Sequence, residues 1–110
     1  MRNTEYIGPD KDISKEIDEM KYRQKDESFN EKIKRIARAL SDDDQHRYEL
    51  EDILGNMRFL PAGRVQAAIG SNRITTAYNC FVSGEIEDSM NCLMEKASEA
   101  AETMRRGGGI

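Results

Sequence analysis

Apolar residues recur at helical spacing over several stretches of this chain, and at strand-like density over one. Ile13, Ile17 and Met20, with Tyr22 close behind, fall near one face of a helix over 12–24. Phe29, Ile33, Ile36, Ala37 and Leu40 repeat at i, i+4, i+7 and i+8 and on to the next turn, a clearer amphipathic stripe. Ser28 stands one residue before it and Glu31 three residues after Ser28, the pattern of a capping box. Ser41-Asp42-Asp43-Asp44 then offers a cap and an acidic first turn to a third helix, whose inner face would be Tyr48, Ile53 and Leu54 and whose end would be Gly55. Gly8-Pro9-Asp10 is a turn signal that sets off a loosely held N-terminal arm.

The second half reads differently. Phe59-Leu60-Pro61-Ala62-Gly63 is a turn entered by apolar residues, 65–69 suits a short strand or a helical turn, and Gly70-Ser71-Asn72 breaks the chain again. Thr75, Thr76, Tyr78, Cys80, Phe81 and Val82 are β-formers, so a strand is expected over 74–82, ending at Ser83-Gly84. For a long helix expected from Glu87 to Arg105, Ile86, Met90, Leu93, Met94, Ala97, Ala101 and Met104 line one side, with Glu87 and Asp88 expected in the first turn and Arg105 and Arg106 in the last. The order implies an α/β chain in two parts, a helical region over 1–56 and an opening strand-helix unit over 57–110.

Composition narrows the classes. Charged residues are 35% of the 110 and mean hydropathy is -0.79, polar for a globular chain but compatible with helices that bury one stripe. The net charge of -4 is carried by the first part. No Lys/Arg block forms a phosphate footprint, which argues against nucleic acid as partner. No run approaches the length of a membrane span and no signal-peptide order opens the chain, so no membrane partner and a cytoplasmic address are expected. The two cysteines, Cys80 and Cys92, are too few for a disulfide scaffold, and nothing spaces like a zinc site, so no metal is expected.

Four places could carry chemistry. Cys80 follows the polar Asn79 in the expected strand; it is either packing or a thiol turned into a site while its neighbours turn away. Arg106-Gly107-Gly108-Gly109-Ile110 is either a plain helix C-cap or a turn whose bare backbone N–H groups meet a phosphate. Arg64, beside Val65 in the turn 61–66, is either a surface guanidinium or an oxyanion partner. Asp88 and Ser89, at the start of the last helix, are either cap and dipole partners or a ligand contact. Cys92 and His46 read as structural and surface residues.

Taken together, the run Arg58-Phe59-Leu60-Pro61-Ala62-Gly63-Arg64, the pair Asn79-Cys80 followed by Phe81-Val82 and then Asp88-Ser89, and the run from Glu99 to Ile110 are specific as a set. With them, 58–110 resembles the start of the catalytic barrel of a ribonucleotide reductase large subunit. The resemblance is greatest to the adenosylcobalamin-dependent enzymes and their phage relatives. It implies the first strand and helix of a ten-stranded α/β barrel, left incomplete. It also implies that Cys80 is one of the redox-active cysteine pair, that Asn79, Gly108, Gly109, Arg64 and Val65 lie against the ribonucleotide, and that Asp88 and Ser89 meet a deoxynucleotide effector at a dimer contact. In many relatives the turn at 63–65 reads Ser-Pro-Thr, where this chain has Gly63-Arg64-Val65.

Adenosylcobalamin, or alternatively a separate metal-bearing radical subunit, would serve the complete enzyme. Further implied partners are a complementary C-terminal part, a thioredoxin- or glutaredoxin-type reductant, and a second copy in a homodimer. The glycine run directly behind a helical pattern reads as a break inside a structural unit, through a split gene, an intervening element or truncation. The competing expectation is a non-catalytic module that binds a nucleotide or docks on a reductase.

Overall fold

In the computed structural model, which describes residues 5–110, the chain is helical and packs as two compact units, the first running to Asn72 and the second from Arg73 to Ile110. Within the first, α1 (Asp12–Ile17) passes into a π-helical turn (Asp18–Tyr22), followed by α2 (Phe29–Leu40), α3 (Asp44–Gly55) and α4 (Gly63–Ala68). The second holds one helix, α5 (Met90–Arg105).

The local chemistry explains why these elements form where they do. Ser28 accepts from the Glu31 N–H at 3.2 Å while the Glu31 carboxylate accepts from the Ser28 N–H at 2.7 Å, so the expected capping box starts α2. Asp43, within the 41–44 run expected to supply a cap, caps α3 by accepting from the His46 N–H at 2.8 Å. His46 has a local task of its own, because its Nδ1 accepts from the Asp42 N–H at 3.2 Å. Ala62-Gly63 opens a helix rather than a strand, which decides the ambiguity over 65–69.

The core of the first unit is Tyr6, Phe29, Ile33, Ile36 and Leu54, with Ile69 packed on it. The stripe of α2 supplies most of it, and α3 lies alongside through Leu54. Gly55 is needed at that seam, since a Cβ there would stand 2.5 Å from atoms of the Tyr6 ring. Tyr48 and Ile53 are exposed, so the inner face of α3 is narrower than its spacing implies. The first helical segment departs further from expectation. Ile13, Ile17 and Met20 face solvent, and the side turned inward carries Asp18. The change from α- to π-helical winding at Asp18 takes Met20 and Tyr22 off the i, i+4 register of Ile13 and Ile17.

The buried face of this segment is ionic. Lys32, 1% exposed on α2, pairs with Asp18 and donates to Gln66 Oε1 at 2.8 Å; Arg23 donates to the other Asp18 oxygen at 2.6 Å. Arg35 pairs with Glu27 at 2.8 Å and donates to the carbonyls of Tyr22, Gln66 and Ile69. This one guanidinium thereby ties α2 to the π-turn and to α4.

The α/β expectation does not hold. Residues 74–82 form no strand, and the only β-type contact among the described residues is a single parallel bridge between Cys80 and Gly109. A row of β-formers needs a neighbouring backbone edge along its length, and here the segment that meets it pairs as a ladder only between Cys80 and Gly109, with one further backbone bond from the Thr76 N–H to the Arg106 carbonyl. The chain is therefore not the opening strand-helix unit of an α/β barrel. The last helix was expected from Glu87; it begins at Met90 because Ser89 is its N-cap, accepting from the Cys92 N–H at 3.2 Å. Glu87 and Asp88 consequently precede the helix instead of filling its first turn.

Candidate functional site

The C-terminal end of α5 closes in a Schellman turn that gives each glycine a separate job. Gly107 takes φ +86°, a conformation costly for any other residue, and its N–H reaches the Met104 carbonyl at 2.9 Å. The Gly108 N–H reaches back to the Thr103 carbonyl at 3.0 Å. Gly108 also lies under Phe81, where an added Cβ would come within 2.6 Å of the ring. Gly109 pairs with the strand-like segment: its N–H donates to the Asn79 carbonyl and its carbonyl accepts from the Phe81 N–H, both at 2.8 Å.

These two bonds straddle Cys80 and fix its backbone. A Cβ on Gly109 would stand 3.3 Å from Cys80 Sγ, so the glycine keeps one flank of the sulfur open. Cys80 is an exposed free thiol. Further support comes from the Arg106 carbonyl, which accepts from the Thr76 N–H at 3.0 Å and from Thr75 Oγ1 at 2.9 Å, and from Phe81, whose ring meets Tyr78 edge-on with centroids 6.1 Å apart. Residues 29 apart in sequence thus sit side by side because α5 carries the chain back past the 74–82 segment.

Four of the expected site residues, Asn79, Cys80, Gly108 and Gly109, are therefore brought together. The N–H groups of Gly107, Gly108 and Gly109 are all spent on carbonyls of this unit, which removes the clustered donors that a phosphate would use. A cavity of ≈ 440 Å³ opens beside the turn, lined by Phe81, Val82, Thr103, Arg106, Glu99 and Glu102 among others. One guanidinium against two carboxylates gives it no excess of positive charge.

Asp88 and Ser89 lie at the opposite end of α5, where Ser89 is occupied as cap. Cys92, half-buried in the first turn, accepts a hydrogen bond from the Glu87 N–H at 3.3 Å, a structural role. Arg64 and Val65 belong to the first unit, half-buried on α4. The sequence reading missed the Lys32, Asp18 and Gln66 group. Its signal was available: Lys32 is three residues after Phe29 and four before Ile36, so helical spacing places it inside the apolar stripe.

Among the described residues no group of three His, Cys, Asp or Glu side chains could share a metal ion. Among the described residues no helix is long and apolar enough to cross a membrane. No protein-family profile, curated protein or solved structure matches the chain, so the family resemblance rests on the quoted residues alone.

Proposed function

We propose that this chain supplies one redox-active thiol, Cys80, to a ribonucleotide reductase, acting with a complementary C-terminal part of the catalytic chain. The observation that supports the reading is the pairing of an exposed Cys80 with the glycine turn at 107–109, the two motifs that carry the resemblance. A thiol can give a proton to a leaving hydroxyl and, joined to a second thiol as a disulfide, two electrons.

In the reaction so implied, a thiyl radical on another cysteine takes the 3′ hydrogen of the ribonucleotide and later returns it. The 2′ hydroxyl leaves as water with a proton from a thiol. Cys80 and a second cysteine together give up two protons and two electrons and end as a disulfide, which a thioredoxin- or glutaredoxin-type protein reduces. That cycle needs three cysteines and this sequence has two, one of them structural, so at least the radical-bearing and second redox cysteines come from the complementary part. A reducing, cytoplasmic setting suits it.

Adenosylcobalamin, in this reading, would generate the radical in the complete enzyme. Neither of the two cavities described, at ≈ 260 Å³ and ≈ 440 Å³, is large enough to enclose a corrin. Asn79 and Gly109 would flank the ribose, and Asp88 with Ser89 would face the effector at a homodimer contact.

A second reading, a module that docks on a reductase without catalysis, is favoured by the apolar surface of the second unit, where Val82 is 100% and Ile74 88% exposed. One experiment separates the two. The chain is mixed with the purified complementary C-terminal part, reductant and adenosylcobalamin, and deoxynucleotide is measured. Product that disappears with Cys80→Ser and persists with Cys92→Ser supports the catalytic reading; product indifferent to Cys80→Ser, or none at all, overturns it.

A further inference from the structure

The first unit contains a cavity of ≈ 260 Å³, room for one small organic molecule. Ile17, Met57, Leu60 and the rings of Tyr22 and Phe29 give it an apolar lining, and Leu60, 64% exposed, stands at the mouth. Lys32, 1% exposed, closes it on the inner side.

Two features indicate which chemistry fits. The first is charge. The lining holds two carboxylates, Asp10 and Asp18, against the one ammonium of Lys32. That ammonium is already occupied: it pairs with Asp18 and donates to Gln66, and its remaining side meets ring faces, with Nζ 4.9 Å from the Phe29 centroid and 5.9 Å from that of Tyr22. The Lys32 and Asp18 pair therefore brings no net charge to the cavity, and Arg23, the other cation on Asp18, is not among the lining residues. Asp10 is left uncompensated. It is exposed and makes no ion pair or hydrogen bond with the other described residues. Four residues on, the half-buried Ser14 borders the same cavity. A carboxylate and a hydroxyl thus stand at the edge of an apolar space, a pair of acceptors that suits a charged N–H donor on an apolar body.

The second feature is the wall. Asp18 and Tyr22 both stand on the π-helical turn, a winding that is rare in helices and is found disproportionately at functional sites. A bare metal ion would need several oxygen ligands, and among the described residues no group of three His, Cys, Asp or Glu side chains could supply them. One free carboxylate matches a single positive charge.

We propose that this cavity binds a small organic monocation, a primary amine on a flat apolar body. The ammonium would sit on the Asp10 carboxylate and the Ser14 hydroxyl, and the ring against Ile17, Met57 and Leu60. The site lies wholly within the first unit and does not depend on the reductase reading.

The test is a titration of the full chain followed by amide NMR at Ser14, Phe29 and Leu60. Three probes share one ring and differ in charge: benzylamine, benzyl alcohol and benzoate. Saturable shifts are expected with benzylamine, weaker binding with benzyl alcohol, and none with benzoate. Asp10→Asn should weaken benzylamine about threefold to fivefold, the size of a partly exposed ion pair, and leave benzyl alcohol unchanged. Because Asp10 is exposed, that variant should keep the helix content of the parent chain. Glu16→Gln removes an exposed carboxylate of α1 that does not line the cavity, and should leave the benzylamine titration as it was. Absence of saturable shifts with benzylamine, an equal response to benzoate, or a benzylamine affinity that Asp10→Asn leaves unchanged or Glu16→Gln lowers as much would each overturn the proposal.

Discussion

The two units spend similar apolar material in opposite ways. In the first, Phe29, Ile33, Ile36 and Leu54 are buried against one another, and even the charged side chains of Lys32 and Asp18 are enclosed and paired. In the second, α5 buries nothing, and Gly108 is the single buried residue of 73–110. An amphipathic stripe is a capacity to pack, and becomes a core only where another element covers it. The first unit has such covers in α3 and α4. The second is held by caps and backbone hydrogen bonds around its glycine turn, an arrangement that positions a thiol but stores little stability.

That contrast can be broken most sharply at Asp18. Asp18→Ala leaves Lys32 and Arg23 enclosed without their carboxylate and should cost the first unit about 3–5 kcal/mol, read by urea denaturation followed by circular dichroism. Ile36→Ala should cost about 2–5 kcal/mol in the same assay through the cavity it leaves. The matching change in the second unit, Met94→Ala, should stay within about 0.5 kcal/mol, because Met94 is already exposed. Equal effects from Ile36→Ala and Met94→Ala would mean that α5 has a core of its own.

Ser28→Ala removes one half of the capping box and should cost about 1 kcal/mol. Glu31 gives the smallest effect. Its carboxyl is held below the ordinary 4.5, chiefly by the hydrogen bond from the Ser28 N–H. A carboxyl with a depressed folded pKa contributes stability that is complete above its unfolded value and is lost as pH falls through the folded one. Stability of the first unit should therefore decline on acidification below about 4.5, and less steeply in Glu31→Gln, as measured by thermal melts across that range.

Particular residues show where the sequence was readable. The α2 stripe and its Ser28 and Glu31 box were, because both are local rules that tertiary packing then reinforced. Ile13, Ile17 and Met20 misled, since apolar spacing on a short helix does not say which face is covered, and the side turned inward carries Asp18. Thr75 to Val82 misled for another reason: β-forming side chains describe what suits a sheet, and no partner edge accompanies them beyond Gly109. The pairing of Cys80 with Gly109 was not legible in the sequence, as no spacing rule brings residues 29 apart together. Lys32 was overlooked because a charged residue inside an apolar stripe reads as surface unless its position on the helix is worked out.

The proposed role of Cys80 is tested most directly by a single turnover. The chain, its complementary C-terminal part, ribonucleotide and adenosylcobalamin are combined without external reductant, the thiols are then trapped, and the peptides are analysed by mass spectrometry. Cys80 is expected in a disulfide with a cysteine of the complementary part, in amount equal to the deoxynucleotide formed, while Cys92 remains a free thiol. Deoxynucleotide formed with Cys80 still reduced would contradict the account.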